Sequence, residues 1–275
     1  MILARTVEEL RAALAERRAS GHDIGLVPTM GAFHAGHRAL MQAARDREGV
    51  VVVSLFVNPT QFGPSEDLAR YPRDEDGDAA VARAEGVDVL FAPGVDDVYP
   101  PGFDSWVDPG ALATVLEGAV RPGHFRGVAT VCTRLFGLVR PARAYFGRKD
   151  AQQVAVLKQV VRDLALPVEI VARPIVRDAD GLALSSRNAY LSRTERETAL
   201  ALPRAMRAGL AAHRAGANPV AAARVVLDAT PPFAVDYVEL ADLDGPTLAA
   251  AGRVGETRLI DNVRLDGSDD GLIGG

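Results

Sequence analysis

The stretch Leu26-Val-Pro-Thr-Met-Gly-Ala-Phe-His34-Ala-Gly-His37, followed by Arg38-Ala-Leu40, decides how this chain is organised. The apolar run Ile24 to Val27 predicts a short buried strand that Pro28 ends. Gly31 and Gly36 free the backbone, and Arg38 to Arg45 has the spacing of a helix. Two histidines three residues apart therefore sit at a strand-to-helix turn. In an open parallel sheet such a turn lies at the carboxyl edge of the strands, where these folds hold their ligands. A helix start also presents unpaired N–H groups and the positive end of its dipole, which suit a phosphate. One histidine near a helix start is more often a cap or a surface residue; two around a glycine directly after a strand make a phosphate-binding turn an equal reading. Zinc is disfavoured, because His22, His124, His213 and Cys132 form no ligand-spaced cluster.

Val50 to Val57 is a continuous apolar run rich in β-branched residues, the mark of a strand buried on both faces of a parallel sheet. It ends in Asn58-Pro59-Thr60-Gln61, so side-chain amides again stand at a carboxyl strand edge. Upstream, Thr6 with Glu9 predicts a capped helix to Arg18. Downstream follow an acidic segment from Asp67 to Asp78, a helix from Ala79 to Glu85, a strand from Val87 to Ala92 and a long loop from Pro93 to Asp108. A helix over Gly127 to Leu138, a strand over Ala142 to Phe146, a helix over Ala151 to Leu164 and a strand over Val168 to Val171 complete the alternation. This predicts a doubly wound parallel-sheet α/β domain, Rossmann-like, over residues 1–175. Residues 176–275 read as a smaller α+β domain. In it the capping box Ser192 to Glu195 opens a helix to Ala215, Pro219 to Leu227 forms another, and strands over Ala234 to Leu240 and Glu256 to Leu265 run antiparallel. The Gly/Asp-rich tail from Asp266 is expected to be disordered.

Composition narrows the function. With 275 residues, 48% hydrophobic and 24% charged, the chain can bury a sizeable core. A net charge of -5 argues against a nucleic-acid partner. An anionic substrate must then meet a local set of cations. Of the 31 basic residues only Lys149 and Lys158 are lysine, and Lys149 is the one whose compact ammonium the site reading uses. One cysteine forbids an internal disulfide and fits a reducing compartment. The sequence shows neither an apolar leader core nor a membrane-length run, so the expected location is the cytoplasm.

The chain has no G-x-x-x-x-G-K-[ST], no G-x-G-x-x-G and no G-x-S-x-G, which removes the P-loop, dinucleotide-fingerprint and α/β-hydrolase readings. What remains are polar groups at strand ends: His34 and His37, Asn58 and Gln61, then Lys149, Asp150 and Gln153. Ser185, Ser186 and Arg187 join them at the domain boundary. Imidazoles, an ammonium and hydroxyls suit the charge that develops on a displaced pyrophosphate. The amides suit a hydroxyl or carboxylate of a small organic substrate.

His34-Ala-Gly-His37 resembles the H-x-G-H element of the nucleotidyltransferase and class I aminoacyl-tRNA synthetase superfamily. Leu184-Ser-Ser-Arg-Asn188 is similar to its second, phosphate-closing loop. Along nearly its whole length the chain resembles the pantothenate synthetase (pantoate–β-alanine ligase) family. The motifs are Pro28 to His37, Phe56 to Phe62, Tyr71-Pro-Arg73, Leu116-Glu-Gly with Arg121 to Phe125, Gly147-Arg-Lys-Asp150 with Gln152-Gln153, and Asp180 to Asn188. The resemblance implies that ATP and pantoate, with Mg²⁺, give pantoyl adenylate and pyrophosphate, and that β-alanine then displaces AMP.

By the same resemblance His34, His37, Lys149 and Arg187 are the catalytic groups. Met30, Gly147, Asp150, Leu184, Ser185 and Ser186 join them around ATP. Pro28, Thr29, Met30, Asn58, Gln61 and Gln153 hold pantoate, Asp78 is linked to metal, and the enzyme is a homodimer. The second domain is expected to act as a lid. Three positions depart from the family: Arg148, Ala151 and Leu184 stand where it usually has Glu, an aromatic and Met. Arg148 is expected to point away from Lys149, and Ala151 to leave a small gap or widen the edge of the site. Another nucleotidyltransferase of the same superfamily would share the histidines without needing Gln61 and Gln153. A non-catalytic binding module would be expected to show damage to the phosphate-facing set, and none is visible.

Overall fold

A computed structural model describes residues 1–64 and 66–267. The expected disorder beyond 267 lies outside the described residues. The chain divides into two compact units, one formed by Met1–Phe146 with Val156–Arg173, the other by Gly147–Ala155 with the chain from Pro174 onward.

The first unit alternates β1 (Ile2–Ala4), α1 (Val7–Ala19), β2 (Ile24–Thr29), α2 (Ala35–Arg45), β3 (Val50–Leu55), α3 (Glu75–Ala84) and β4 (Val89–Phe91). Two single-turn helices follow, α4 (Val95–Val98) and α5 (Glu117–Val120), then α6 (His124–Val139), β5 (Arg143–Gly147), α7 (Ala151–Asp163) and β6 (Glu169–Arg173). The strand order is β1-β4-β3-β2-β5-β6, and the pairs β1–β4, β4–β3, β3–β2 and β2–β5 run parallel. From β2 the chain builds to one side through β3 and β4, then crosses to the other with β5. The order therefore reverses beside β2, the point at which such sheets open a crevice at their carboxyl edge.

Val27, Val51, Val53 and Leu90 share one buried cluster with Leu40, Met41 and Ala44 of α2 and Ala82 of α3. Each Val, Leu or Met side chain so removed from water contributes about 1.5–3 kcal/mol. That packing fixes the start of α2 against the ends of β2 and β3.

Several expectations shift. Pro28 does not end β2, which continues to Thr29 paired with β3; its pairing with β5 stops at Leu26, so Pro28 lies beyond the ladder on that side. Helix α2 begins at Ala35, not Arg38, because His34 caps it. Sequence periodicity missed β1, whose three residues are too few to show a period.

The second unit packs α8 (Arg193–Ala199), α9 (Ala201–Arg214) and α10 (Pro219–Asp228) on an antiparallel sheet of β7 (Phe233–Asp242), β8 (Pro246–Val254) and β9 (Thr257–Arg264), in the order β7-β8-β9. Leu202, Met206, Leu210 and Leu227 join Val238, Leu248, Val254 and Val263 in its core. The single helix expected after Ser192 is two, meeting at Leu200. Pro203 lacks the N–H that would continue the ladder to Ala199. The central strand β8 was missed, because Ala249, Ala250 and Ala251 carry little strand preference.

Candidate active site

In the first unit, the turn after β2 is shaped by three devices. Gly31 adopts φ 93° and Ala32 φ 53°. A Cβ on Gly31 would stand 2.8 Å from Asp78 Oδ2. That carboxylate, buried on α3, accepts from the backbone N–H of Ala32 through Oδ2 at 2.8 Å and of Phe33 through Oδ1 at 2.7 Å. Burial holds the Asp78 carboxyl above its ordinary pKa, against the pull of those two N–H groups. Each oxygen of Asp78 thus serves the turn.

The turn delivers both histidines to the head of α2 in a reciprocal cap. His34 Nδ1 accepts from the Gly36 N–H at 3.1 Å, and His37 Nδ1 accepts from the His34 N–H at 3.3 Å. The rings lie 4.2 Å apart, centroid to centroid. Gly36 leaves room for this ring position, since a Cβ would stand 2.9 Å from His34 Cε1. With Nδ1 accepting, the proton of a neutral imidazole resides on Nε2. Each ring then turns an N–H donor away from the helix start. Capping and phosphate binding are therefore compatible, not rival, readings.

At the end of β3, buried Asn58 uses both ends of its amide inside the protein. Its Oδ1 accepts from Thr60 Oγ1 and from Tyr99 Oη, both at 2.9 Å; its Nδ2 donates to Gln61 Oε1 at 3.1 Å and to Gly127 O at 3.3 Å. Gln61 is thereby oriented with its Nε2 toward Met30 Sδ, 3.0 Å away. Thr29 Oγ1 donates to Ser54 O at 2.6 Å, across the β2–β3 pair. Met30 and Gln61 face each other, while Thr29 and Asn58 brace the strand ends that carry them.

A further layer supports Gln61 and was not assigned a role from sequence, although its motif was visible. His124 Nδ1 lies 2.8 Å from Gln61 O, and Arg121 donates to the same carbonyl at 3.3 Å while pairing with Glu66. Burial, with Arg121 beside it, pulls the His124 imidazole down to about 4, so it is neutral at pH 7. Three residues on, Gly127 admits the close approach of α6, since a Cβ there would meet Thr60 O at 2.4 Å.

In the second unit, Gly147 leads into a single 3₁₀ turn, Arg148–Asp150, ahead of Gln153 on α7. Lys149 Nζ is 3.5 Å from Asp150 Oδ1 and only one-fifth exposed. Arg148 turns instead to Asp244, 3.7 Å away, although the segment is a 3₁₀ turn and not the extended one from which that direction was expected. Ala151 is buried. A short hairpin, closed by Asp178 N to Leu182 O at 2.9 Å and Leu184 N to Val176 O at 2.9 Å, carries the serines. Ser185 caps the next 3₁₀ turn, its Oγ accepting from Arg187 N at 3.3 Å. Leu184, Ser185, Ser186 and Arg187 are all half-buried.

Among the described residues no group of three His, Cys, Asp or Glu side chains is placed to hold a metal ion. Asp78, with the Asp74 carboxylate near enough to help raise its pKa, spends both oxygens on the turn and does not by itself make a protein-held magnesium site. None of the helices among the described residues is long and apolar enough to cross a membrane.

A family model described as pantoate-beta-alanine ligase matches residues 2–264. The chain is 50% identical to a pantothenate synthetase of Moorella thermoacetica, over 98% of this chain and 100% of that one. It is 52% identical to one of Thermobifida fusca, over 96% and 95%. A crystal structure of pantothenate synthetase from Thermus thermophilus superposes with a TM-score of 0.91 at 48% identity, covering 96% of this chain and 99% of that one. A pantoate-beta-alanine ligase from Francisella tularensis, complexed with beta-gamma ATP and beta-alanine, superposes with a TM-score of 0.83 at 34% identity, covering 97% and 98%.

Proposed function

The chain belongs to the pantoate–β-alanine ligase family, and on that premise we propose how its residues use ATP to join pantoate to β-alanine. The pantoate carboxylate attacks the α-phosphorus, the bond to the β-phosphate oxygen breaks, and pyrophosphate leaves. The amine of β-alanine then attacks the acyl carbon of pantoyl adenylate, loses a proton and expels AMP. The first nucleophile is already ionised near pH 7 and needs no base. Catalysis is then positioning and charge stabilisation, as in phosphoryl transfer generally.

The observation that carries this reading is the reciprocal cap of His34 and His37. In this reading the Nε2–H of each ring and the head of α2 serve the same anion. We assign His34, His37, Lys149 and Arg187 to the charge that develops on the departing pyrophosphate. Ser185 and Ser186 donate to phosphate oxygens. Met30, Gly147, Asp150 and Leu184 contact the nucleoside part, with Asp150 toward the ribose. Gln61, Gln153, Pro28, Thr29 and Met30 are assigned to pantoate, and Asn58 acts by orienting Gln61. The ATP and β-alanine carried by the Francisella enzyme support these substrates here.

Magnesium, in this reading, arrives with ATP and is held by phosphate oxygens, the usual manner of that ion. Asp78 anchors the turn and is not given a metal. A homodimer in the cytoplasm is the assembly and location that the family implies, and the single cysteine fits a reducing compartment.

The test is product identity. ATP, pantoate and β-alanine should yield pantothenate, AMP and pyrophosphate in equal amounts. ADP and inorganic phosphate in their place would indicate an acyl-phosphate route and refute the adenylate.

A further inference from the structure

We infer that Asn262 is the positioning residue for Lys149, and that it holds the Lys149 turn from the same point of β9 that fixes the Ser185–Arg187 loop. Asn262 sits within β9, paired with Ala249 of β8, and is 3% exposed. A buried amide in that setting is costly unless it is fully hydrogen-bonded. Its Oδ1 has no partner. For stability alone an apolar side chain would serve this position better.

What the amide does instead is specific. Its Nδ2 donates to two successive carbonyls, Arg148 O at 3.0 Å and Lys149 O at 2.9 Å. The 3₁₀ turn that carries Lys149 has no side-chain cap of its own. One amide therefore clamps the backbone on both sides of the Lys149 Cα.

The preceding residue completes the device. Successive strand residues face opposite sides of a sheet, and buried Asp261 holds Arg177 bidentately, at 2.7 and 2.9 Å. Arg177 in turn donates to Gly181 O at 3.1 Å and bridges Ala183 in the hairpin stem. Leu184, Ser185, Ser186 and Arg187 follow directly. The Asp261 carboxylate also accepts from the Asn262 N–H at 2.8 Å, tying the two clamps together. Two adjacent residues thus set the spacing between the ammonium turn and the hydroxyl loop. Because a misplacement of about 1 Å can cost on the order of 10²-fold in rate, such a bracket has a catalytic consequence although neither residue touches substrate.

The inference rests on the role proposed for Lys149, and a double-mutant cycle on the full chain separates the two. The assay is pantoate-dependent exchange of labelled pyrophosphate into ATP, with folding checked by circular dichroism. Lys149→Ala should slow exchange by about 10²-fold or more, as loss of a preorganised charge donor does. Asn262→Leu, close in volume, should slow it by about tenfold or more while the protein stays folded.

In the Lys149→Ala background Asn262→Leu should cost less than about threefold, because a positioning residue has nothing left to position. If the two losses multiply, or if folded Asn262→Leu exchanges within about twofold of the parent, Asn262 does not act through Lys149 and the inference falls. If Lys149→Ala alone has no effect, the role of Lys149 falls, and the inference with it. Should Asn262→Leu fail to fold, Asn262→Asp goes through the same cycle; it has the same shape but offers no donor to the two carbonyls.

Discussion

Replacing Asp78 by Asn isolates what that carboxylate does. The substitution keeps the shape but swaps one acceptor oxygen for an NH₂ that must face a backbone N–H. The wild-type carboxylate accepts from Ala32 and Phe33 at 2.8 and 2.7 Å. A hydrogen bond to a charged group contributes about 1.5–3 kcal/mol. One of the two is lost outright and the other drops to the weaker neutral kind. Against this, the variant no longer buries a charge, a cost visible in the raised pKa of Asp78. The net expectation is a loss of about 2 kcal/mol, or about 4–8 °C in Tm for a unit of this size.

Loosening the turn also releases His34 and His37, so pyrophosphate exchange should fall by about tenfold, equivalent to about 1.4 kcal/mol. Calorimetry and exchange are measured on one preparation, across a magnesium titration. Stability and activity should fall together, and added magnesium should restore neither. An unchanged Tm with an activity loss that magnesium rescues would mean that Asp78 serves a metal, and the anchor reasoning would be wrong.

Gly36→Ala tests the histidine cap from the other side. The new Cβ would crowd His34 Cε1 at 2.9 Å, while the helix gains up to about 1 kcal/mol of propensity, offsetting a lost cap of similar size. Stability should stay within about 1 kcal/mol, yet exchange should drop at least about tenfold; activity within about twofold of the parent would show that the His34 geometry is not used. His124 gives a pH signature. Its imidazole lies at about 4 in the fold against about 6.5 unfolded, so the unfolded chain binds more protons between those values and stability falls with acidification through that window. From pH 7 to 5 the loss from this residue is about 2 kcal/mol in urea unfolding. His124→Gln should flatten that slope, and an unaltered slope in the variant would exclude His124 as its source.

Much of this was legible from local pattern. Val50 to Leu55 is buried on both faces of the sheet and so reads as one apolar run. Strand, glycine and paired histidines placed a turn at the sheet edge without any knowledge of tertiary contacts. What stayed hidden depends on residues distant in the chain. Asp78 meets the Phe33 and Ala32 amides 45 and 46 positions away, and Asn262 reaches Arg148 and Lys149 across more than a hundred. Neither leaves a spacing to read. The motif around His124 was visible, but its role as a support under Gln61 needed the packing of α6. Strand β8 was lost for another reason: three consecutive alanines carry neither alternation nor strand preference.

In the proposed reaction pantoate is activated as an adenylate in a step that precedes the amine. The most direct measurement is exchange of labelled pyrophosphate into ATP with pantoate present and β-alanine omitted. Exchange should depend on pantoate, proceed without β-alanine, and collapse when His34 or His37 is replaced by alanine. Exchange indifferent to pantoate, or absent until β-alanine is added, would contradict the proposed reaction.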